Sequence, residues 1–418
     1  MPWEDRQPEV NIGVVGHVDH GKTTLVQAIT GIWTARHSDE IKRGMTIKLG
    51  YADGNIALCD SLEPPDAYTT SQTCPDGSES RLLRRVSFID APGHEALMAT
   101  MLSGSSLMDG AILVIAANEP CPQPQTLEHF SALNIIGVKN VVIVQNKIDV
   151  VSRERAVENY KEIKKLVAGS PLESAPVIPV SSLHKVNIDV VLQALYEEIP
   201  VPERNLSGDP LMLVARSFEV NRPGTDYREI RGGVVGGSLI QGVLRVGDEI
   251  EIVPGAKIPV GKTGFKYQPL ITSVEELRFG EMKVREARPG GLLAIGTGLD
   301  PSLTKADSLV GSLVGKPGRT PPTVDSLTIR YSMLERVVGI REMGKMPPLQ
   351  VKEMVVLTIG TAVRVATITR LTKDLIEVEL KEPVATWPNS RVALSRRVLG
   401  RWRLSGWGIV ESVSSKGA

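Results

Sequence analysis

Gly16, Gly21, Lys22 and Thr23 stand at the spacing G-x-x-x-x-G-K-T within Gly16-His17-Val18-Asp19-His20-Gly21-Lys22-Thr23. That pattern marks a loop that cradles the phosphates of a nucleoside triphosphate. Glycines let the backbone wrap closely, so N–H groups along Val18, Asp19, His20, Gly21, Lys22, Thr23 and Thr24 turn inward to phosphate oxygens. The Lys22 ammonium reaches the outer phosphates, and the Thr23 hydroxyl is a ligand for Mg²⁺. The base is read by Asn146-Lys147-Ile148-Asp149. A carboxylate at Asp149 accepts N1–H and N2–H of guanine. Adenine offers an acceptor at N1 and no N2 amine, and would leave the carboxylate unpaired. Asn146 bonds the base edge or anchors the loop, and the Lys147 stem lies on the ring. Ser181-Ser182-Leu183 adds backbone N–H groups to the base, or caps a helix. The nucleotide expected is GTP or GDP.

Two further stretches read the terminal phosphate. Asp90-Ala91-Pro92-Gly93 places a carboxylate that holds Mg²⁺ through a water and a glycine N–H for the phosphate. Arg43-Gly44-Met45-Thr46-Ile47 supplies Thr46 as a second hydroxyl ligand. Thr23, Thr46, two phosphate oxygens and two waters complete the octahedron that Mg²⁺ prefers, in a two-state switch. His94 follows the switch glycine, where a residue that orients the attacking water belongs; elsewhere such a histidine is a plain surface residue. No arginine finger is evident, so intrinsic hydrolysis should be slow until a partner completes the site.

These residues need strands and helices that bring them to one edge. Apolar runs at Asn11–Val15, Arg84–Asp90, Ala111–Ala117, Val141–Gln145 and Pro176–Val180 read as strands, and the spacing predicts helices near 94–107, 124–136, 151–168 and 187–199. Alternation of this kind implies a doubly wound, mostly parallel α/β sheet with ligands at its strand ends. After Leu206-Ser207-Gly208-Asp209-Pro210 the texture turns to strands and glycines, and a second break falls at Gly315–Pro322. The expected organisation is a nucleotide domain at 1–205, with an insert at 53–81, then β-barrels at 206–318 and 319–418. With 48 basic and 48 acidic residues, the chain has no bulk charge to draw it to nucleic acid; a local patch must do so. Three cysteines make no disulfide framework, and no apolar run is long enough to span a bilayer. A cytoplasmic protein with no membrane partner is expected.

In this order the motifs resemble the translational GTPases related to elongation factor Tu. The glycine-rich run Arg231–Ser238 followed by Gly242–Asp248 resembles the second domain of that class. Pro8–Val15, Thr46–Tyr51, Ala96–Gly104 and Gly400-Arg401-Trp402-Arg403 are similar to the gamma-subunit family of archaeal translation initiation factor 2. That resemblance implies GTP-dependent carriage of methionylated initiator tRNA to the small ribosomal subunit, in a heterotrimer with alpha and beta subunits. It also implies Mg²⁺ contacts at Asp19 and Gly44, and a catalytic role for Asp19 beside His94. An elongation-type carrier, including the selenocysteine-specific kind, and a scaffold that uses GTP only for assembly are the alternatives.

One feature departs from the family. Its zinc knuckle carries two C-x-x-C pairs, whereas here Cys59 and Cys74 stand alone, with Leu62 and Gly77 at the second positions. Two thiolates are too few for a closed zinc site, so no zinc is expected; a Cys59–Cys74 disulfide requires a cytoplasm that tolerates one. The insert should be mobile unless it packs on a neighbour. At the C-terminal end, Arg391–Arg403 holds five arginines and no acid. Either they face outward from barrel strands, or Arg396, Arg397 and Arg401 contact tRNA phosphates.

Overall fold

The structure is a computed structural model describing residues 3, 6–34, 48–94, 97–222, 224–226, 228–261, 264–334 and 346–415. Gly44 and Thr46 lie outside the described residues. The chain divides between Pro202 and Glu203 into two compact units.

The first unit is built on one seven-stranded sheet. Its strands are β1 (Val10–Val15), β2 (Gly50–Leu58), β3 (Tyr68–Thr69), β4 (Arg81–Asp90), β5 (Gly110–Ala116), β6 (Val141–Asn146) and β7 (Val177–Pro179), in the order β3-β2-β4-β1-β5-β6-β7. Five strands from β4 to β7 run parallel. The helices are α1 (Lys22–Thr30), α2 (Met98–Ser105), α3 (Pro124–Ile136), α4 (Arg153–Val167) and α5 (Ile188–Glu198). β1, β5 and β6 are buried at every position, because a parallel sheet covered by helices needs apolar side chains on both faces. Ile12 and Val14 of β1 share one core with Leu25, Val26 and Ile29 of α1 and Val191, Leu192 and Leu195 of α5.

β2 and β3 have no counterpart in the sequence expectation. β2 reads Gly-Tyr-Ala-Asp-Gly-Asn-Ile-Ala-Leu, and glycine, aspartate and asparagine are poor strand formers. It is a strand because β4 offers a free edge, along which it pairs antiparallel from Gly50↔Asp90 to Leu58↔Arg81. Residues 53–58, assigned to the insert by sequence, therefore belong to the main sheet. The remainder of the insert is a compact knuckle, closed by a Cys59–Cys74 disulfide with Cα atoms 5.8 Å apart. Leu62 N–H donates to Cys59 O and Gly77 N–H to Cys74 O, so each half keeps a tight turn after its cysteine. Tyr68 packs onto the core beside Tyr196 of α5.

The second unit holds both barrels. One contains β8 (Leu211–Phe218), β9 (Val234–Gln241), β10 (Leu244–Arg245), β11 (Glu249–Val260), β12 (Gly264–Phe279), β13 (Met282–Val284), β14 (Glu286–Ala287), β15 (Leu293–Thr297) and β16 (Leu313–Gly315). It closes through the pairing of β11 with β12. The other is the closed ring β17 (Thr323–Met333), β20 (Leu375–Ala385), β19 (Ala362–Leu371), β18 (Met354–Ile359), β21 (Arg391–Val398) and β22 (Arg401–Ser414). Alternate residues such as Ile376, Val378 and Leu380 fill its interior. Between the barrels, Glu382 accepts from Lys257 and Tyr267, and burial beside that carboxylate pushes the Tyr267 hydroxyl up to about 12.

Candidate functional site

The phosphate loop leaves the C-terminal end of β1 between β4 and β5, where neighbouring connections diverge and open a crevice. Gly16 has φ 143°, and a Cβ there would stand 2.3 Å from Val114 O, so only glycine fits. Its N–H donates to Nδ1 of the fully buried His129 at 3.2 Å. His20 is 1% exposed and its Nδ1–H donates to Val114 O at 3.0 Å. Burial drives both His20 and His129 down to about 3, so both rings are neutral. Glu119 Oε2 lies 3.5 Å from His20 Nε2. The two histidines are thus props beneath the loop.

Lys22 donates to His17 O at 2.7 Å, so the loop's own backbone holds the ammonium. Burial lowers Lys22 to about 8, while Asp90 and Asp19 pull the other way and keep it charged near neutrality. Asp19 is exposed with φ 61°, a conformation that aspartate tolerates better than most residues. Thr23 and Thr24 lie half-buried in the first turn of α1, and Val18 is half-buried in the loop.

Asp90 ends β4 fully buried, and its Oδ2 accepts from Thr23 Oγ1 at 2.7 Å and from Thr34 Oγ1 at 2.6 Å. Gly93 packs directly on the loop: a Cβ there would come within 2.5 Å of Lys22 Nζ and 2.8 Å of Gly16 O. His94 follows it, half-buried, with its carbonyl taken by Leu97 N–H. The donors gathered here are hard oxygens. Thr23 gives its proton to Asp90 and keeps its lone pairs for a cation, an arrangement that fits Mg²⁺.

Asn146 is 2% exposed and does anchor work. Its Nδ2 donates to His20 O at 2.9 Å, and its Oδ1 accepts from Ser182 N–H at 3.1 Å and Ser182 Oγ at 2.9 Å. Gly21, at φ 87°, lies against it; a Cβ there would stand 2.3 Å from Asn146 Nδ2. The structure thus ties three loops together: the phosphate loop, the end of β6 and the segment after β7. Ser182 lies directly against Asn146. Its N–H and its hydroxyl both donate to Asn146 Oδ1, so it braces the loop that carries the guanine motif. Ser181 Oγ accepts from His184 N–H, and Leu183 is 71% exposed. Asp149 is exposed, with its carboxyl held below the ordinary range chiefly by the Ser181 hydroxyl. Lys147 sits beside it at φ 63°.

Arg396 does not belong to an exposed patch. It is 7% exposed and forms a two-point ion pair with Glu353, Nε–Oε1 2.6 Å and Nη2–Oε2 2.9 Å, while bonding the carbonyls of Pro347 and Pro348. Side chains alternate along a strand, and Arg396 shares the parity of the core residues Val392 and Leu394. Arg397 has the opposite parity and is exposed, as are Arg391 and Arg401. His129 and Thr34 were missed by sequence reasoning. A buried histidine in a helix and a threonine after one carry no spacing signal, and only their partners reveal them.

A phosphate loop at the end of β1, a guanine-type loop after β6, a switch glycine packed on Lys22 and, later in the chain, two β-barrels define a translational GTPase. Residues 7–201 match the family described as elongation factor Tu GTP binding domain, and residues 325–410 match initiation factor eIF2 gamma, C terminal. The chain belongs to the translation initiation factor 2 gamma-subunit family, and its enzymatic activity is that of a GTPase. It is 59% identical to the Aeropyrum pernix translation initiation factor 2 subunit gamma, over 98% of this chain and 99% of that protein. The Sulfurisphaera tokodaii subunit is 56% identical over 98% of this chain and 100% of the relative. Among solved structures, a bacterial selenocysteine-specific elongation factor matches at TM-score 0.72 and 23% identity, covering 96% of this chain and 58% of that one. SelB from Methanococcus maripaludis, in complex with the GTP analogue GppNHp, matches at TM-score 0.70 and 22% identity, over 98% of this chain and 80% of that one. Likeness at these identities is one of fold. Among the described residues, no helix is long and apolar enough to cross a membrane.

Proposed function

We propose that the chain is the GTP-dependent carrier of methionylated initiator tRNA to the small ribosomal subunit, acting in the cytoplasm within a heterotrimer with alpha and beta subunits. The observation that carries this reading is identity of 59% over nearly the whole of an initiation factor 2 gamma subunit, barrels included. An elongation role rests on fold likeness alone.

At the nucleotide, Asp149 reads the guanine edge, and Asn146 and Ser182 hold the loop that presents it. The amides from Val18 to Thr24 take the phosphates. Lys22, kept charged by Asp90 and Asp19, neutralises developing charge on the outer oxygens. Thr23, Thr46 and, through a water, Asp90 would hold Mg²⁺, joined by Asp19 and Gly44 as the family resemblance implies; bound there, Mg²⁺ would supply charge neutralisation on the phosphates. His94 orients the attacking water. Gly93, with no side chain between it and Lys22, is free to reorient when the terminal phosphate leaves, which releases the tRNA-binding state. Of the three arginines expected to meet RNA phosphates, Arg397 and Arg401 are exposed and keep that role.

The test is a titration of initiator and elongator methionyl-tRNAs against the assembled factor with GTP and with GDP. Preference for the initiator form, present with GTP and lost with GDP, supports the reading. Equal affinity for both tRNAs indicates an elongation-type carrier, and no nucleotide effect indicates a scaffold.

A further inference from the structure

We infer that Thr34 is a positioning residue for the magnesium site, acting through Asp90; this rests on the magnesium reading above. Thr34 is buried after the end of α1, and its hydroxyl donates to Asp90 Oδ2 at 2.6 Å. The same oxygen takes the Thr23 hydroxyl at 2.7 Å. The outer torsion of an aspartate is soft, so its hydrogen bonds decide the plane of the carboxylate. Two donors on one oxygen hold that plane more firmly than one.

Sequence and fold place Thr34 there deliberately. α1 stops at Gly31, at φ 74°, whose N–H returns to Gln27 O, and Ile32 N–H is taken by Thr30 Oγ1. The chain then folds back so that Thr23, at the start of the helix, and Thr34, beyond its end, reach one oxygen atom. β2 makes the room. Gly50 pairs with Asp90, and a Cβ on Gly50 would stand 2.7 Å from Thr34 Cβ and 3.4 Å from Asp90 Cβ. Gly50 has no positive φ, so an alanine there strains no backbone and acts chiefly by pushing on Thr34, its nearest neighbour. Three elements therefore converge on the carboxylate: the exit of α1, the first residue of β2 and the last of β4. The hydroxyl is what a purely space-filling residue such as valine would lack.

The experiment measures affinity for a fluorescent GDP across a Mg²⁺ titration and in EDTA, for wild type, Thr34→Val, Thr34→Ser and Gly50→Ala. Thr34→Val should raise the Mg²⁺ concentration at half-effect about ten-fold, the scale of one hydrogen bond to a charged group. Affinity in EDTA should stay at the wild-type value. Thr34→Ser should restore the wild-type midpoint. Gly50→Ala should repeat the Thr34→Val shift, and the double variant should add nothing, because both act through one bond. An unchanged midpoint in Thr34→Val overturns the inference, as does an equal loss with and without Mg²⁺, which marks a merely structural bond. If Thr34→Val does not fold, Gly50→Ala decides by the same criteria. A wild-type protein indifferent to Mg²⁺ overturns the magnesium reading and this inference with it, whereas a responsive wild type beside an unshifted Thr34→Val overturns this inference alone.

Discussion

Replacing Asn146 tests how far nucleotide binding depends on the loops that this side chain ties together. Asn146 makes three hydrogen bonds, to His20 O, Ser182 N–H and Ser182 Oγ, all in a buried setting. Asn146→Ala leaves a buried carbonyl and a buried N–H without partners, each costing about 1–3 kcal/mol, while the Ser182 hydroxyl can rotate to another acceptor. Water entering beside Gly21 recovers part of that cost. A net cost of about 2–4 kcal/mol to the loop arrangement remains, and because the nucleotide must then restore that arrangement on binding, the expected loss is up to about 30- to 1,000-fold in affinity. Asn146→Asp should be worse than alanine. It keeps the acceptor for Ser182 but sets an anionic oxygen where the amide donates to His20 O across 2.9 Å. The assay is equilibrium binding of fluorescent GDP and IDP, with thermal unfolding as a control for folding. Both nucleotides should weaken by one factor, because the 2-amino group that separates GDP from IDP is the share of Asp149 and not of Asn146. Affinity within three-fold of wild type, or a loss confined to GDP, refutes the reasoning.

Arg396→Glu should destabilise the second unit by about 3–5 kcal/mol, the cost of breaking a buried pair, whereas Arg397→Glu and Arg401→Glu should leave the melting transition in place and reduce the salt dependence of tRNA binding. Loss of the Cys59–Cys74 disulfide, by reduction or by a double serine variant, should cost up to about 3 kcal/mol for a loop of this size and leave GDP affinity unchanged; a lost nucleotide affinity would contradict the confinement of the knuckle to its own edge of the sheet. Stability should fall on acidification below pH 6.5. His129 binds a proton in the unfolded chain near pH 6.5 but in the folded protein only near pH 3, so the unfolded state gains protons first across that window. The slope is at most about 1.4 kcal/mol per pH unit for this group, and denaturant unfolding at pH 7 and pH 5 with a His129→Gln variant should show it reduced.

The sequence by itself determined the chemistry that is local. The phosphate loop, the Asn146–Asp149 turn and the Asp90–Gly93 stretch are short contiguous patterns, and their glycines stand where φ or close packing forbids a side chain. Continuous apolar runs identified β1, β5 and β6, since a strand buried on both faces must be apolar throughout. The inward position of Arg396 was also legible, in its parity with Val392 and Leu394, although a run of arginines suggested a surface. Tertiary structure alone decided the rest. β2 is a strand only because β4 has an edge to pair with, which its own composition does not announce. Ser182 braces Asn146, since a hydrogen bond is settled by which loops meet in space. His129 and Thr34 joined the site through contacts across 113 and 56 positions of chain. Short-range spacing encodes what one segment can bind, and only packing encodes which distant side chain will hold that segment still.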